Sequence, residues 1–415
     1  MKKVMPLFLI LFLIFLAGCG AESTSVEITT DATTLTETTT EAATEPQTYT
    51  AKITAVGDLM MHSYQMDSSY NKATDTYSFD YSFKKVYNYL QSSDLTLGNL
   101  ETVFAGKEIG YSDYPCFNSP EEFGYAIKNA GFDVLSTVNN HSMDKGKTGV
   151  LNTIDFLDNL GIDHFGTYNS QKSSENIFIE NVNNIKIAFV GWTYGVNGIN
   201  IPDSYLVKLL NEENIIKDLE RAKALNPDVI IAMPHMGNEY EEFTRDTFKE
   251  KISLMVEHGA DIVLASHPHV LQQMEFVEAG GNKAFVIYSL GNFISSQRDK
   301  PRDAGVILNI YISKTEGQDF EFDKISYIPT WVQWRDSSGN YNIRVLSVYD
   351  AIKSYEGDNS YMLRPKDYNR LKEVIAHSCK ILTGEETDYT MVKKEYIFYN
   401  KTETPSTEEG QKEVQ

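Results

Sequence analysis

Five apolar segments of this chain each run straight into residues able to bind a metal ion, and no other feature of the sequence restricts the fold as tightly. Tyr49 to Val56 alternates and ends in Gly57-Asp58. Asp94-Leu95-Thr96-Leu97 leads into Gly98-Asn99-Leu100-Glu101, and Phe132 to Val138 leads into Asn139-Asn140-His141. Val229 to Met233 leads into Pro234-His235, and Ile262 to Ala265 into Ser266-His267-Pro268-His269. Short runs of this kind read as strands. Imidazole and carboxylate are standard ligands for Zn, Mn and Fe, and Asn adds a carbonyl oxygen. Only eight histidines occur, and four of them (His141, His235, His267 and His269) fall in these motifs, a concentration that random surface placement rarely gives.

Helical patterns separate the strands: Phe83 to Leu90, Pro120 to Ala130, Gly149 to Leu160 before Gly161, Glu212 to Leu225, and Thr244 to His258 before Gly259. Pro at the start and Gly just past the end are the expected punctuation. Strands alternating with helices predict an α/β arrangement, with ligand groups at the carboxyl ends of the strands. Ile185 to Gly191, Ala284 to Leu290, Val306 to Ile312, Phe320 to Tyr327 and Tyr341 to Val348 are β-rich with few helices between them, which predicts a second sheet. The expected fold is therefore α/β (α+β), a two-sheet sandwich flanked by helices. A last helix over Pro365 to Leu382 carries Tyr368, Leu371, Val374, Ile375 and Cys379 at core-packing spacings. Ala279-Gly280-Gly281-Asn282 reads as a hairpin turn.

Singly, the motifs are weak. Asp after Gly at a strand end is often a turn or a cap, and Glu101 and His235 acquire force only jointly. His267-Pro268-His269 is sharper, because an extended backbone before Pro lets both imidazoles project from one face. His62 suits either the loop after Asp58 or a helix start, and His164, His258 and His377 read as structural.

The ends address the chain. Met1-Lys2-Lys3, the apolar run Val4 to Leu16 and Leu16-Ala17-Gly18-Cys19 have the layout of an export signal, too short to span a bilayer comfortably. A Cys after Leu-Ala-Gly resembles a bacterial lipobox, which predicts a signal over 1–18, acylation of Cys19 and a lipid-anchored protein on the extracytoplasmic face of the cell membrane. Residues 19–48 form a Thr- and Glu-rich tether expected to be disordered, followed by the main domain over 49–350, a helical extension over 351–383 and a polar, largely disordered tail over 384–415 in which Tyr396-Ile397-Phe398-Tyr399 could dock. Cys116 and Cys379 are expected to be free thiols. The net charge of -21 argues against nucleic acid, while bound cations can still draw anions into an acidic protein.

The ordered set Gly57-Asp58-Leu59-Met60-Met61-His62, Gly98-Asn99-Leu100-Glu101, Asn139-Asn140-His141-Ser142-Met143-Asp144-Lys145-Gly146, Pro234-His235-Met236-Gly237-Asn238-Glu239-Tyr240, Ser266-His267-Pro268-His269-Val270-Leu271-Gln272 and Tyr288-Ser289-Leu290-Gly291-Asn292-Phe293 resembles the CapA (poly-gamma-glutamate capsule protein) family over roughly residues 52 to 298. That family is related to the calcineurin-like metallophosphoesterases, and the resemblance implies their architecture and one or two divalent ions (Mn, Zn or Fe). It implies that Asp58 and His269 ligate a first metal, that Glu101 bridges, and that Asn140, His235 and His267 ligate a second. His141, oriented by Asp144, would protonate a leaving group. Two departures stand out: Met60 and not His follows two residues after Asp58, and the bridging position is Glu where Asp is usual.

The resemblance implies a metal-dependent hydrolase or transfer factor acting on an anionic surface polymer, with membrane polymer-synthase subunits as candidate partners. A phosphodiesterase or nucleotidase, and a non-catalytic partner of a polymer synthase or exporter, are the competing readings. Trp192 is expected in the core, and Trp331 and Trp334 are open between core and polymer contact.

Overall fold

The computed structural model describes residues 45–402, so the expected signal, Cys19 and nearly all of the tether lie outside the described residues. β1 (Thr48–Leu59) is followed by α1 (Ser63–Ser69), a small hairpin of β2 (Tyr70–Asn71) and β3 (Thr76–Tyr77), and the short α2 (Tyr87–Leu90). Next come β4 (Leu95–Leu100), α3 (Glu121–Ala130), β5 (Val134–Ser136), α4 (Gly146–Leu160) and β6 (Asp163–Phe165). The chain continues through α5 (Gln171–Glu175), β7 (Phe178–Val182), β8 (Ile185–Thr193), α6 (Glu212–Ala224), β9 (Val229–His235), α7 (Asp246–Glu257) and β10 (Ile262–Leu264). The remainder is mostly strand: β11 (Met274–Ala279), β12 (Asn282–Ile287), β13 (Asn292–Ile294), β14 (Ala304–Thr315), β15 (Phe320–Arg335) and β16 (Tyr341–Ser347). Two helices, α8 (Val348–Glu356) and α9 (Pro365–Thr383), precede β17 (Tyr396–Asn400).

These strands form two large sheets, as expected, but divide between them differently. The larger runs β16-β15-β14-β1-β4-β5-β6, with β13 beside the end of β1 and β17 on β15; the smaller runs β11-β12-β10-β9-β8-β7. Ile185 to Gly191 and Ala284 to Leu290, which the sequence assigns to a separate second sheet, instead flank β9 and β10 in parallel, while β14, β15 and β16 extend the sheet of β1 in antiparallel fashion. Each sheet thus combines parallel strands that end in candidate ligands with strands from the β-rich stretches. The reason is pairing surface: a central strand must satisfy backbone groups on both sides, and hydrophobic pattern alone does not name the neighbour.

The core explains the layering. Ala51, Ile53 and Ala55 of β1 and Leu95 and Leu97 of β4 meet Ile187 and Phe189 of β8, Ile231 and Met233 of β9 and Leu264 of β10 in one buried cluster. The opposite face of the larger sheet, through Val56, Leu100 and Leu135, packs with Phe123, Ala126 and Ile127 of α3. The outer face of the smaller sheet, through Ala188, Ile230 and Val263, packs with Ile215 and Leu219 of α6 and Ile252 and Met255 of α7. The result is helix, sheet, sheet, helix, with parallel strand ends of both sheets available to one site.

Local chemistry sets the boundaries. Pro120 precedes α3 and left-handed Gly131 ends it, and the Asn211 side chain caps α6 by accepting from the Asn214 amide. The helix expected from Phe83 contracts to Tyr87–Leu90 because Phe83 is pinned among Phe123, Phe132 and Phe293. The Gly280-Gly281 turn joins β11 to β12 with φ of 58° and 83°, the backbone a two-residue hairpin of this hand requires.

The C-terminal part is integral to the described fold. Leu371, Val374, Ile375 and Cys379 of α9 enter the cluster between the sheets. Arg370 holds the Asp303 carboxylate in a fork, at 3.0 Å from Nε and 2.7 Å from Nη2, and the Trp331 indole N–H donates to the same carboxylate at 2.8 Å. Trp331 is therefore a core residue, as is Trp192. Within the polar tail, Tyr396–Asn400 pairs with β15 and Tyr396 stacks on Tyr327, the docking that the aromatic run left open. Cys116 and Cys379 are free thiols. Among the described residues no helix is long and apolar enough to cross a membrane.

Candidate metal centre

Each candidate ligand reaches the site from the end of a parallel strand. Asp58 is the penultimate residue of β1, and Glu101 directly follows β4. Asn140 and His141 lie in the loop after β5, His235 closes β9, and His267 and His269 follow β10. β1, β4 and β5 belong to the larger sheet and β9 and β10 to the smaller, so the site straddles both. All of these side chains are buried.

The donor atoms converge. Ligand atoms of Asp58, Glu101 and His235 all lie within 4.8 Å of one another, and so do those of Glu101, His267 and His269. Glu101 is common to both sets, which places it where two ions would share a carboxylate. The resemblance divides the same residues otherwise, putting His269 with Asp58 and His267 with His235. His235 Nε2 stands 2.8 Å from Asn140 Oδ1 and 3.7 Å from Glu101 Oε1, and His269 Nε2 is 3.7 Å from Glu101 Oε1. Such spacings suit neighbouring ligands whose bonds to a common ion are about 2.0–2.2 Å.

The donor set calls for a cation. The ion pairs made by Asp58, Glu101 and Asp144 among the described residues are all with histidine, although buried carboxylates need compensating positive charge. Glu101 Oε1 and His267 Nδ1 are buried with no hydrogen-bond partner, a cost that a bound ion relieves. Burial, reinforced by the Asp58 carboxylate, pushes the Glu101 carboxyl well above the usual range. Burial and the neighbouring imidazoles hold His235 well below the ordinary histidine value and His267 down to about 3, leaving both as the neutral rings that metals bind. The residues present fit a divalent metal.

The surrounding polar groups set orientation. His269 Nδ1 faces Asp58 Oδ2 at 3.0 Å and Asn292 Oδ1 at 3.1 Å; both accept, so Nδ1 carries the proton and Nε2 keeps its lone pair for the site. Asn99 Nδ2 donates to Asp58 Oδ1 at 2.8 Å and lies 3.3 Å from Glu101 Oε2. The sequence assigns no role to Asn99 or Asn292; for Asn99 the available signal is its place two residues before Glu101, whereas Asn292 lies 23 residues from His269 and only the fold brings the two together. His141 Nδ1 meets Asp144 Oδ2 at 2.8 Å, and the Phe117 amide donates to the same oxygen at 2.6 Å. That dyad lies close enough to the cluster for its imidazole to contribute to the lowering at His235 and His267.

The backbone revises one sequence expectation, and the structure selects between the two readings left open for His62. His267 and His269 do not sit on an extended segment: their φ values are 108° and 59°, positions where non-glycine residues are strained and which cluster at functional sites. His62 lies at the start of α1 with its Nδ1 2.8 Å from Asp113 Oδ1, outside both ligand sets.

Gly57 is required beside Asp58. The Asp58 amide donates to Gly291 O at 3.0 Å, and a Cβ on residue 57 would stand 1.8 Å from that same backbone oxygen. Gly57→Ala is expected to destabilise the fold by about 3 kcal/mol or more, since the obstacle is backbone and cannot rotate away. Chemical denaturation should show this, together with reduced metal retention.

A family model described as "Bacterial capsule synthesis protein PGA_cap" matches residues 52–297. Capsule biosynthesis protein CapA of Bacillus anthracis is 31% identical over 254 residues, covering 59% of this chain and 60% of that protein. PGA biosynthesis protein CapA of Bacillus subtilis (strain 168) is 30% identical over 262 residues, covering 61% of this chain and 65% of that protein. The chain thus spans less than two thirds of the length of either relative. Among solved structures, the calcineurin-like phosphoesterase YfkN from Bacillus subtilis aligns with a TM-score of 0.39 at 14% identity, covering 79% of this chain and 100% of that one. A putative 5'-nucleotidase from Staphylococcus aureus aligns with a TM-score of 0.41 at 14% identity, covering 78% and 57%. The matched segment begins in β1 and takes in every candidate ligand from Asp58 to His269, and the chain belongs to the bacterial capsule synthesis protein family PGA_cap.

Proposed function

We propose that this protein is a metal-dependent hydrolase or transfer factor that acts on an anionic cell-surface polymer during capsule assembly, anchored to the extracytoplasmic face of the membrane through Cys19. The observation that carries the reading is Glu101: a fully buried carboxylate common to two ligand sets, with one oxygen lacking any partner. The names of the two relatives, for capsule and PGA biosynthesis, support the polymer as target.

Asp58, Glu101 and His235 would hold one ion, with Asn140 Oδ1 beside His235, and Glu101, His267 and His269 a second. A divalent cation there supplies Lewis acidity toward the bond to be broken and favours deprotonation of water near neutral pH. Asn99 steers the Asp58 and Glu101 carboxylates, and Asn292 with Asp58 fixes the His269 ring. The His141 Nδ1–H donates a hydrogen bond to the Asp144 carboxylate, which would stabilise an imidazolium whose Nε2–H gives the proton to a departing group, and the Phe117 amide keeps Asp144 in place. The closely packed ring of Phe117, 4.6 Å from that of His141, restricts water around the imidazole.

The test is complementation in a strain lacking its own copy, with capsule polymer quantified. His267→Ala is expected to produce polymer of altered amount or chain length at unchanged protein level. Wild-type capsule in cells carrying that variant would favour a non-catalytic assembly role.

A further inference from the structure

On the outer face of the larger sheet lies a cleft of about 730 Å³. Lys52, six residues before Asp58 on β1, lines it, which places it about 20 Å along the strand from the metal centre. Lys84 and Lys85 enter from the segment before α2, and Lys394 from the segment before β17. Among the described residues none of these four ammonium groups is within ion-pair distance of a carboxylate; the pairing found there joins Lys324 to Glu395 at 3.6 Å. Three of them face tyrosine rings, and Lys52 Nζ also donates to Ser92 Oγ at 2.9 Å. Lys85 Nζ is 4.1 Å from the ring centre of Tyr361, Lys394 Nζ 5.5 Å from that of Tyr89, and Lys52 Nζ 5.8 Å from that of Tyr311.

The carboxylates lining the cleft are already engaged. Asp350 accepts from the Tyr89 hydroxyl at 2.6 Å, and Glu395 accepts from Ser326 and Asn309 as well as pairing with Lys324. Burial lowers the ammonium groups of Lys52 and Lys85 from the ordinary lysine range, a cost that an incoming anion offsets. In a chain of net charge -21, four lysines without an ion pair gathered in one cleft run against the overall charge. The cations are separate point charges on three segments, interleaved with aromatic faces. No arginine fork lines the cleft, which makes it a poor clamp for a compact phosphate.

We propose that this cleft is a second, non-catalytic binding site for a linear polycarboxylate, with Lys52, Lys84, Lys85 and Lys394 meeting its carboxylates and the tyrosine rings its aliphatic linkers. The site stands apart from the metal centre and does not depend on hydrolysis there, while its occupant rests on the proposed action on an anionic surface polymer. It would hold the polymer at a distance from the cluster.

Calorimetric titration of the full-length protein with a short oligoglutamate tests it. Lys84 and Lys394 are exposed, so the double charge reversal Lys84→Glu/Lys394→Glu should leave folding and metal content intact while weakening binding roughly tenfold or more. Lys84→Arg/Lys394→Arg should retain affinity, as should His267→Ala, and wild-type binding should weaken as salt is raised. Unchanged affinity in the reversal variant overturns the site. An equal loss in His267→Ala moves the ligand to the metal centre, and polyphosphate binding as tightly as the oligoglutamate overturns the assignment to carboxylates.

Discussion

Glu101→Gln is expected to abolish retention of divalent metal. Glu101 belongs to both ligand sets, so one substitution removes a donor from each, whereas His235→Ala or His269→Ala depletes only one. Mass spectrometry of the purified protein reconstituted with Mn, Zn or Fe should find metal on the wild type and none on Glu101→Gln. The substitution preserves shape and removes a carboxyl group whose burial beside Asp58 already disfavours its charge, so the metal-free variant should be at least as stable as the metal-free wild type. A metal that binds only the native state stabilises it by about 2.7 kcal/mol at a hundredfold excess over its Kd. The wild type should therefore gain in melting temperature on metal addition and the variant should not. Equal metal content in the two would remove Glu101 from the site.

The second large effect falls on His141. It is buried, its Nδ1 is committed to Asp144 at 2.8 Å, and it is absent from both ligand sets. His141→Gln should therefore keep the metal and lose rate, by about 10²- to 10⁴-fold if the imidazole transfers a proton in the rate-limiting step. Asp144→Asn tests the same dyad from behind: an amide in place of the acceptor favours the wrong imidazole tautomer and leaves the Phe117 amide to a weaker partner. The measurement is turnover of isolated surface polymer at saturating metal, with metal content determined on the same samples. Loss of metal from His141→Gln would make the imidazole a ligand, and an unchanged rate would exclude it from proton transfer.

The types of the candidate ligands and their order along the chain are legible without coordinates. Strand ends carrying Asp58, Glu101, Asn140, His235, His267 and His269 are local features, since a short apolar run followed by a polar turn announces itself within ten residues or so. The helix boundaries at Pro120 and Gly161 were legible for the same reason. Two local readings failed where distant packing outweighed propensity. Phe83 is held out of α2 by three phenylalanines remote in sequence, and His267 takes a left-handed backbone that no property of His-Pro-His requests.

What the tertiary structure alone decided is which sheet each strand joins and therefore which ligands face one another. The hydrophobic pattern of β9 is satisfied by any apolar neighbour, but only pairing with β8 and β10 and packing across Ile187, Ile231 and Leu264 onto β1 and β4 brings His235 within 3.7 Å of Glu101. The order of chemistry-bearing residues is a property of the chain. Their convergence comes from burying two apolar sheet faces against each other, with the parallel strand ends of both sheets meeting at one site.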